Sequence, residues 1–467
     1  MANDTLGYVY RIKPIVQCYD WGMPSESSLV YRLFTNGRHM EESHSTNKGK
    51  PYAELWVGDH DSAPCSVVAC RRKCVVMLTA TDSGQNIQVL ETVDHPVESC
   101  GTSLEKTERK RLSELYRSMG LQIYGHEIEG PSILFKVLSV AKPLSMQIHP
   151  DKKSAMRMRK QGHPSIVDSQ DKPEMCVAVS RFRLLCGFRP LSETLVYARR
   201  YESFAKLIGE ELLVIISTDT EPNSSDTYVR ICHRLLMGQP NVELIDELIG
   251  AIKGRDNHDL SEEVLLTLRD IHGVDICILF AFLLNAVELN VGESCFIPPN
   301  TLHSYISGDC IELMNNSDNV IRCGLTKKPK DVRAVIELLE FERDNGNPLC
   351  QTAYYVKPYQ VSPHINIYRP LHPTSNLATW SFFVPSRTRV SQCFRNDKQP
   401  FIGVILETND SVTIGFSNEA GQVMGSEKKL DIVHVEYGQA FLIYPDTTMD
   451  VNNEGTTDVV FYFGTVM

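Results

Sequence analysis

Residues 134–153, LFKVLSVAKPLSMQIHPDKK, constrain the fold of this chain more than any other stretch. After Pro143, apolar and polar residues alternate: Leu144, Met146 and Ile148 share one parity, and Ser145, Gln147 and His149 share the other. Successive strand side chains point to opposite faces. A strand here buries the first set in a core and sends the second into one shared space. Just upstream, residues 133–140 are almost wholly apolar, which predicts a strand packed on both faces. The single charge in that run, Lys136, then needs a partner. Taken alone, a Gln-x-His pair also suits a solvated strand face; three further segments weigh against that reading.

The chain has 467 residues, enough for two or three domains with substantial cores. Its 47 basic and 58 acidic side chains give a formal charge of −11, and basic clusters such as Arg71, Arg72 and Lys73 are short. That speaks against a nucleic-acid surface. The first residues, MANDTLGYVYRIKP, lack a basic segment followed by an apolar run, and no later stretch reaches the length of a membrane span. These features predict a cytoplasmic protein with no membrane partner. Fourteen cysteines without a CxxC pair read as reduced and mostly buried.

Along the chain, residues 8–18, 53–57 and 65–78 read as short strands, separated by turn chemistry at Trp21-Gly22 and Gly58-Asp59. An antiparallel assembly follows. Residues 103–119 predict a helix capped by Ser103 and stopped at Gly120. The segment after His149 reads as a loop, and Glu174 opens another apolar strand. Between 191 and 275 the period lengthens towards 3.6, giving helices at 191–208, 227–237, 242–252 and 260–271. Strands return over 286–325, a helix follows at 331–340, and residues 401–467 are again short strands. The fold class expected is mainly β with an α insert. The expected domains are a β domain from 1–190 and 276–345, a helical insert at 191–275 and a C-terminal β domain at 346–467.

Residues 292–303, GESCFIPPNTLH, place a glycine turn, a short strand, a proline turn and a histidine in succession. They resemble the second motif of the cupins, with Asn300 where those proteins commonly have glycine. The resemblance implies antiparallel β-barrels of jelly-roll type. It also implies that His303 faces a barrel interior beside a ligand pair two residues apart, as Gln147 and His149 are, with Glu174 adding a carboxylate. Two imidazoles, a carboxylate and an amide oxygen make a site for Zn²⁺. The weak amide ligand would leave the metal strongly Lewis acidic.

Longer matches specify the family. Tyr19-Asp20-Trp21-Gly22, PYAELWVGDH at 51–60, LFKVLSVAKPLSMQIHPDK at 134–152 and HSYISGDCIELMNNSDNVIRCGLTKK at 303–328 resemble the type I mannose-6-phosphate isomerases. The resemblance implies one zinc per chain on Gln147, His149, Glu174 and His303, an active-site Arg322, and a substrate pocket lined by Lys136, Ser145, Lys172 and Trp21. It implies interconversion of mannose 6-phosphate and fructose 6-phosphate by a monomer, through an enediol or enediolate, feeding GDP-mannose and protein glycosylation. Arg322 then stabilises charge, Lys136 and Ser145 hold phosphate, and Asp318 orients Lys172 or Arg322. The proton carrier is a metal-bound hydroxide, a carboxylate or an amine of lowered pKa.

The chain departs from the family where Ile166, Gln170 and Asp171 replace tyrosine, asparagine and histidine ahead of Lys172-Pro173-Glu174. Asp171 exchanges a near-neutral imidazole for a carboxylate and is a candidate base. Ser304, Asn315, Cys323 and Lys327 are further replacements. Two other readings stay open: a weak or inactive homologue that binds sugar phosphate or a protein partner, and a cupin of unrelated chemistry that prefers iron.

Overall fold

The computed structural model describes residues 9–36, 49–68, 71–77, 89–96, 111–123, 132–209, 213–214, 224–350, 354–394, 399–408, 412–418, 428–445 and 447–467. Their organising pair is the Ile133–Val140 strand and the His303–Asn315 strand, antiparallel from Ile133↔Asn315 to Val140↔Gly308. Every residue of the first is buried, because both faces of the strand are covered and neither face can be polar by default. Ile133, Phe135 and Val137 enter a core shared with the C-terminal sheet. Leu134, Lys136 and Leu138 look the other way, into a cavity.

On its other edge this strand pairs with Glu54–His60, where Leu134 meets Gly58. The expected turn at Gly58-Asp59 is therefore strand, and the glycine serves close packing: a Cβ there would lie 2.9 Å from Leu134 Cδ1. The chain turns at Asp61 and Ser62 instead.

The His303–Asn315 strand changes partners along its length. Its first part pairs with Phe182–Phe188 and meets Gln147; its second pairs with Ile133–Val140 and Glu174–Ala178. The switch falls at Gly308, with φ 108°, where a Cβ would lie 2.3 Å from the Arg181 carbonyl oxygen. Only glycine takes that position without strain. Side-chain parity changes there as well, so Tyr305 before it and Glu312 and Met314 after it line the same cavity.

Among the described residues three large antiparallel sheets lie in layers, beside a two-stranded one. A six-stranded and an eight-stranded sheet enclose a core rich in rings, among them Trp380, Phe382, Phe394, Phe401 and Phe461. The outer face of the eight-stranded sheet meets the twelve-stranded sheet, with Tyr10, Ile402 and Val404 in one core with Phe135, Val177 and Leu313. The architecture is mainly β with a helical insert, as the sequence predicts. Among the described residues the strands stack as sheets rather than closing into a ring.

The N-terminal strands are shared between layers. The expected strand at 8–18 breaks at Pro14, which has no N–H to give a ladder. Val9–Lys13 pairs with Ala440–Ile443 in the eight-stranded sheet, whereas Ile15–Gln17 pairs with Glu54–His60. Arg71–Met77 likewise pairs with Lys428–His434. Early chain therefore completes C-terminal sheets.

The helices of the insert are Leu191–Arg200, Glu202–Ile208, Ser225–Met237, Val242–Lys253 and Leu260–His272. The run expected at 191–208 breaks at extended Tyr201, whose hydroxyl donates to the buried Glu262 carboxylate. Asp259 and Glu262 form a capping box that starts the last helix. The segment after His149 is a helix, Lys152–Lys160, rather than a loop: Asp151 caps Ser154 at 2.7 Å while Ala155 and Met158 are buried. The helix expected from Ser103 is seen as Leu112–Ile123, passing Gly120, and residues 103–110 lie outside the described residues. No described helix is long and apolar enough to cross a membrane, and the described cysteines are free and mostly buried.

Candidate metal centre and its pocket

The alternation at 144–149 does in space what it does in sequence. In the Met146–Ile148 strand, Met146 and Ile148 are fully buried in the core of the helical insert, while Ser145 and Gln147 face a cavity of about 840 Å³. Leu144 is half-buried on the cavity wall rather than in the core. Gln147 is paired with His303, so the short strand sets the amide beside the imidazole. Glu174 opens the strand on the far edge and reaches both rings: Oε1 lies 3.3 Å from His149 Nε2 and Oε2 lies 3.4 Å from His303 Nε2. Among the described residues, His149, Glu174 and His303 form the cluster able to hold a metal.

Their hydrogen bonds fix how the rings present themselves. His149 Nδ1 donates to Asn319 O at 2.7 Å, and His303 Nδ1 donates to Thr301 O at 2.9 Å. Both Nε2 atoms are thereby left as lone-pair donors aimed at one point, the orientation metal-binding histidines require. His149 Nε2 is buried and has no hydrogen-bond partner among the described residues. Burial lowers its pKa to about 4. Burial also raises the Glu174 carboxyl, but His149 and Lys172 outweigh it and hold the group well below the ordinary value. His149 and Glu174 are thus deprotonated at neutral pH, as a cation needs. The Gln147 amide nitrogen lies 3.3 Å from His303 Nε2, and Ser145 Oγ donates to Gln147 Oε1 at 2.9 Å. Half a turn of that amide puts its oxygen on the cluster instead. The four residues fit a zinc ion.

Asn300 explains its departure from glycine. It sits at φ 59°, a region asparagine tolerates better than other side chains, and its Oδ1 accepts from Asp151 N at 2.9 Å. Its own N–H donates to His149 O at 2.7 Å, tying the proline turn to the ligand strand.

Beside the cluster runs a buried row of alternating charge. Lys136 Nζ lies 3.1 Å from Glu312 and 3.6 Å from Glu54, 5.2 Å above the Trp56 ring. Burial alone would lower its pKa, but these carboxylates outweigh it and raise it. Lys136 has found its partners, and they are carboxylates. Lys172 Nζ lies 3.4 Å from Glu174 Oε1, and burial lowers its pKa.

Arg322 and Lys328 stand at the rim. Neither has a carboxylate within ion-pair distance among the described residues, and burial lowers both pKa values, with Arg322 lowering Lys328 further. Lys328 lies 5.1 Å over the Tyr19 ring, and Trp21 lines the same wall.

Asp318 pairs with neither Lys172 nor Arg322. Its Oδ1 lies 3.2 Å from His60 Nε2. Asp171 is not among the residues lining the cavity; its carboxylate accepts from Asn315 Nδ2 at 3.1 Å. Two replacements thus satisfy one another. Sequence reasoning gave no role to Asp168, which anchors the turn carrying Asp318. It accepts from Ser317 Oγ at 3.0 Å, Asp318 N at 3.0 Å and Asn319 Nδ2 at 3.0 Å. The signal for it was Ser317-Asp318-Asn319, three residues rich in donors.

A family model described as the phosphomannose isomerase type I catalytic domain matches residues 9–92 and 90–191. Mannose-6-phosphate isomerase 1 of Arabidopsis thaliana is 33% identical over 362 residues, 75% of this chain and 74% of that protein. This chain belongs to the mannose-6-phosphate isomerase family. The human mannose-6-phosphate isomerase is 29% identical over 377 residues, 78% of this chain and 80% of that one. The crystal structure of a mannose 6-phosphate isomerase from Salmonella typhimurium, bound to substrate and to a zinc atom, has the same fold. Its TM-score is 0.63 at 19% identity, over 98% of this chain and 100% of that one. Gln147, His149 and His303 lie in the segments the sequence resemblance singled out, as do His60 and Lys328, and Glu174 follows Lys172-Pro173 outside them.

Proposed function

We propose that this chain is a zinc-dependent aldose-ketose isomerase that interconverts mannose 6-phosphate and fructose 6-phosphate through an enediol or enediolate. The observation that carries the reading is the convergence of two imidazole lone pairs and one carboxylate behind a cavity that Gln147 and Glu174 line and whose rim holds cations without carboxylate partners among the described residues. Gln147, His149, Glu174 and His303 hold the zinc, which when bound supplies Lewis acidity at the substrate oxygens. Arg322 and Lys328, close to solvent, are suited to the phosphate and to charge developing on the substrate. Lys136, held between Glu54 and Glu312, shapes the floor, and Ser145 orients Gln147. Trp21 gives the sugar an apolar wall.

Isomerisation removes the proton on C2 and returns one to C1, while the hydroxyl proton on O2 is lost and O1 gains one. Of the five carboxylates around the cavity, Glu54 and Glu312 face Lys136, Glu174 faces the imidazoles, and Asp20 is exposed at the solvent side. Asp318, half-exposed, is the acceptor we assign for the C2 proton. Lys172, an amine of lowered pKa beside Glu174, donates to the developing oxygen charge. Asp171 takes no part in the transfer, since Asn315 holds it. The reading includes the division into a catalytic β domain, a helical insert and a bracing C-terminal domain, and a cytoplasmic monomer supplying GDP-mannose and glycosylation.

The test is turnover of mannose 6-phosphate by purified protein, coupled to detection of fructose 6-phosphate. Steady turnover is expected. Binding of the sugar phosphate without turnover by folded, zinc-loaded protein would overturn the isomerase in favour of a regulatory homologue.

A further inference from the structure

The cavity holds an imidazole that neither the metal cluster nor the charge row uses. His60 ends the Glu54–His60 strand, is 4% exposed, and lines the cavity with its ring centroid 5.0 Å from that of Trp56. Its two nitrogens are committed differently. Ser62 N donates to Nδ1 at 3.3 Å, and the Ser62 hydroxyl lies 2.7 Å from the same atom. Nδ1 is therefore the acceptor, and the ring proton of the neutral imidazole sits on Nε2, 3.2 Å from Asp318 Oδ1. Asp318 is fixed a second time through its backbone, whose N–H donates to Asp168. One carboxylate at the cavity is thus held by two independent elements while half of it stays open to a ligand.

We propose that His60 is a positioning residue for Asp318: its Nε2–H aims the carboxylate into the cavity. This rests on the isomerase reading, in which Asp318 accepts the C2 proton. The charged groups facing His60 are Asp318 and Asp61, which favour a protonated ring, and Lys136 and Lys172, which oppose it. Burial is the largest influence and keeps the ring neutral, so the dyad enters the reaction as imidazole and carboxylate. No step transfers a proton to His60. It orients the base through its Nε2–H.

Two substitutions separate positioning from packing. His60→Gln keeps an N–H at the distance of Nε2; His60→Leu keeps bulk and removes the donor. His60→Leu is expected to lower kcat about tenfold with little change in KM, because an ionised acceptor loses one charge-assisted hydrogen bond. His60→Gln should recover most of the lost rate. Equal impairment of the two variants would overturn the proposal. A second readout needs no turnover: in labelled wild-type protein the His60 nitrogen signals should show Nε2 protonated and Nδ1 bare, and Asp318→Asn should shift the Nε2 signal. The opposite tautomer, or no shift, would also overturn it. Absence of wild-type turnover with the expected nitrogen signals would instead sink the isomerase reading alone.

Discussion

The two faces of the molecule's β layers are built on the same antiparallel principle and filled in opposite ways. Between the six-stranded and eight-stranded sheets the core is almost all ring and hydrocarbon, with Phe382 and Phe461 stacked at 4.8 Å and Phe394 against Phe401 at 4.7 Å. On the cavity side of the twelve-stranded sheet, buried positions carry Lys136, Lys172, Glu174 and Glu312. Burying such groups costs several kcal/mol for each ion unless partners are supplied, and there each has one. The difference separates a layer that supplies stability from a layer that consumes some of it to hold chemistry.

Substitutions should sharpen that contrast. Glu174→Ala is expected to lower turnover by about a thousandfold or more through loss of the metal's charge stabilisation, and zinc content should fall with it. Metal analysis beside the coupled assay checks both. Arg322→Ala should lower kcat about a hundredfold or more while zinc stays bound, which steady-state kinetics on metal-analysed protein would separate from a ligand loss. Phe382→Ala, on the other side, should reduce stability by about 3–5 kcal/mol and leave the kcat of the folded fraction near that of the wild type. Denaturant unfolding measures the first and active-site-normalised rates the second. If Phe382→Ala lowered kcat while stability held, the division between layers would be wrong.

Acid should find the same division. His149 has a folded pKa near 4, below its ordinary 6.5, so metal-free protein has this contribution in full above about pH 6.5 and loses it as pH falls towards 4. Glu174, also depressed, continues the loss at lower pH. Unfolding midpoints of metal-free protein across that range should fall, and in His149→Gln the upper part of the slope should disappear. The smallest effect expected is that of Asp171→Asn, within about tenfold of wild-type kcat, since its carboxylate meets Asn315 outside the cavity wall.

Much of this was legible in the sequence because period-2 alternation and short-range spacing are local properties. The parity of Leu144 to His149 announced the polar face, and the capped, 3.6-period runs announced the insert. What stayed hidden depends on contacts far apart in the chain. The pairing of Asp318 with His60 crosses more than two hundred residues, so the sequence offered Lys172 and Arg322 as nearer partners. Gly58 read as a turn because its composition is that of a turn, while its actual constraint is the side chain of Leu134 on the next strand. The parity change at Gly308 is likewise set by the carbonyl of Arg181, which no spacing within 303–315 reveals. Asp171 looked like a substitute for a base because only its own position was visible, and Asn315 was judged separately.

The account turns on the metal. The direct measurement is to strip the purified protein with a chelator, assay mannose 6-phosphate turnover, and titrate zinc back while recording activity against bound metal. Activity should disappear on stripping and return in proportion to zinc, levelling at one ion per chain. Turnover that survives complete removal of metal would contradict the role given to Gln147, His149, Glu174 and His303.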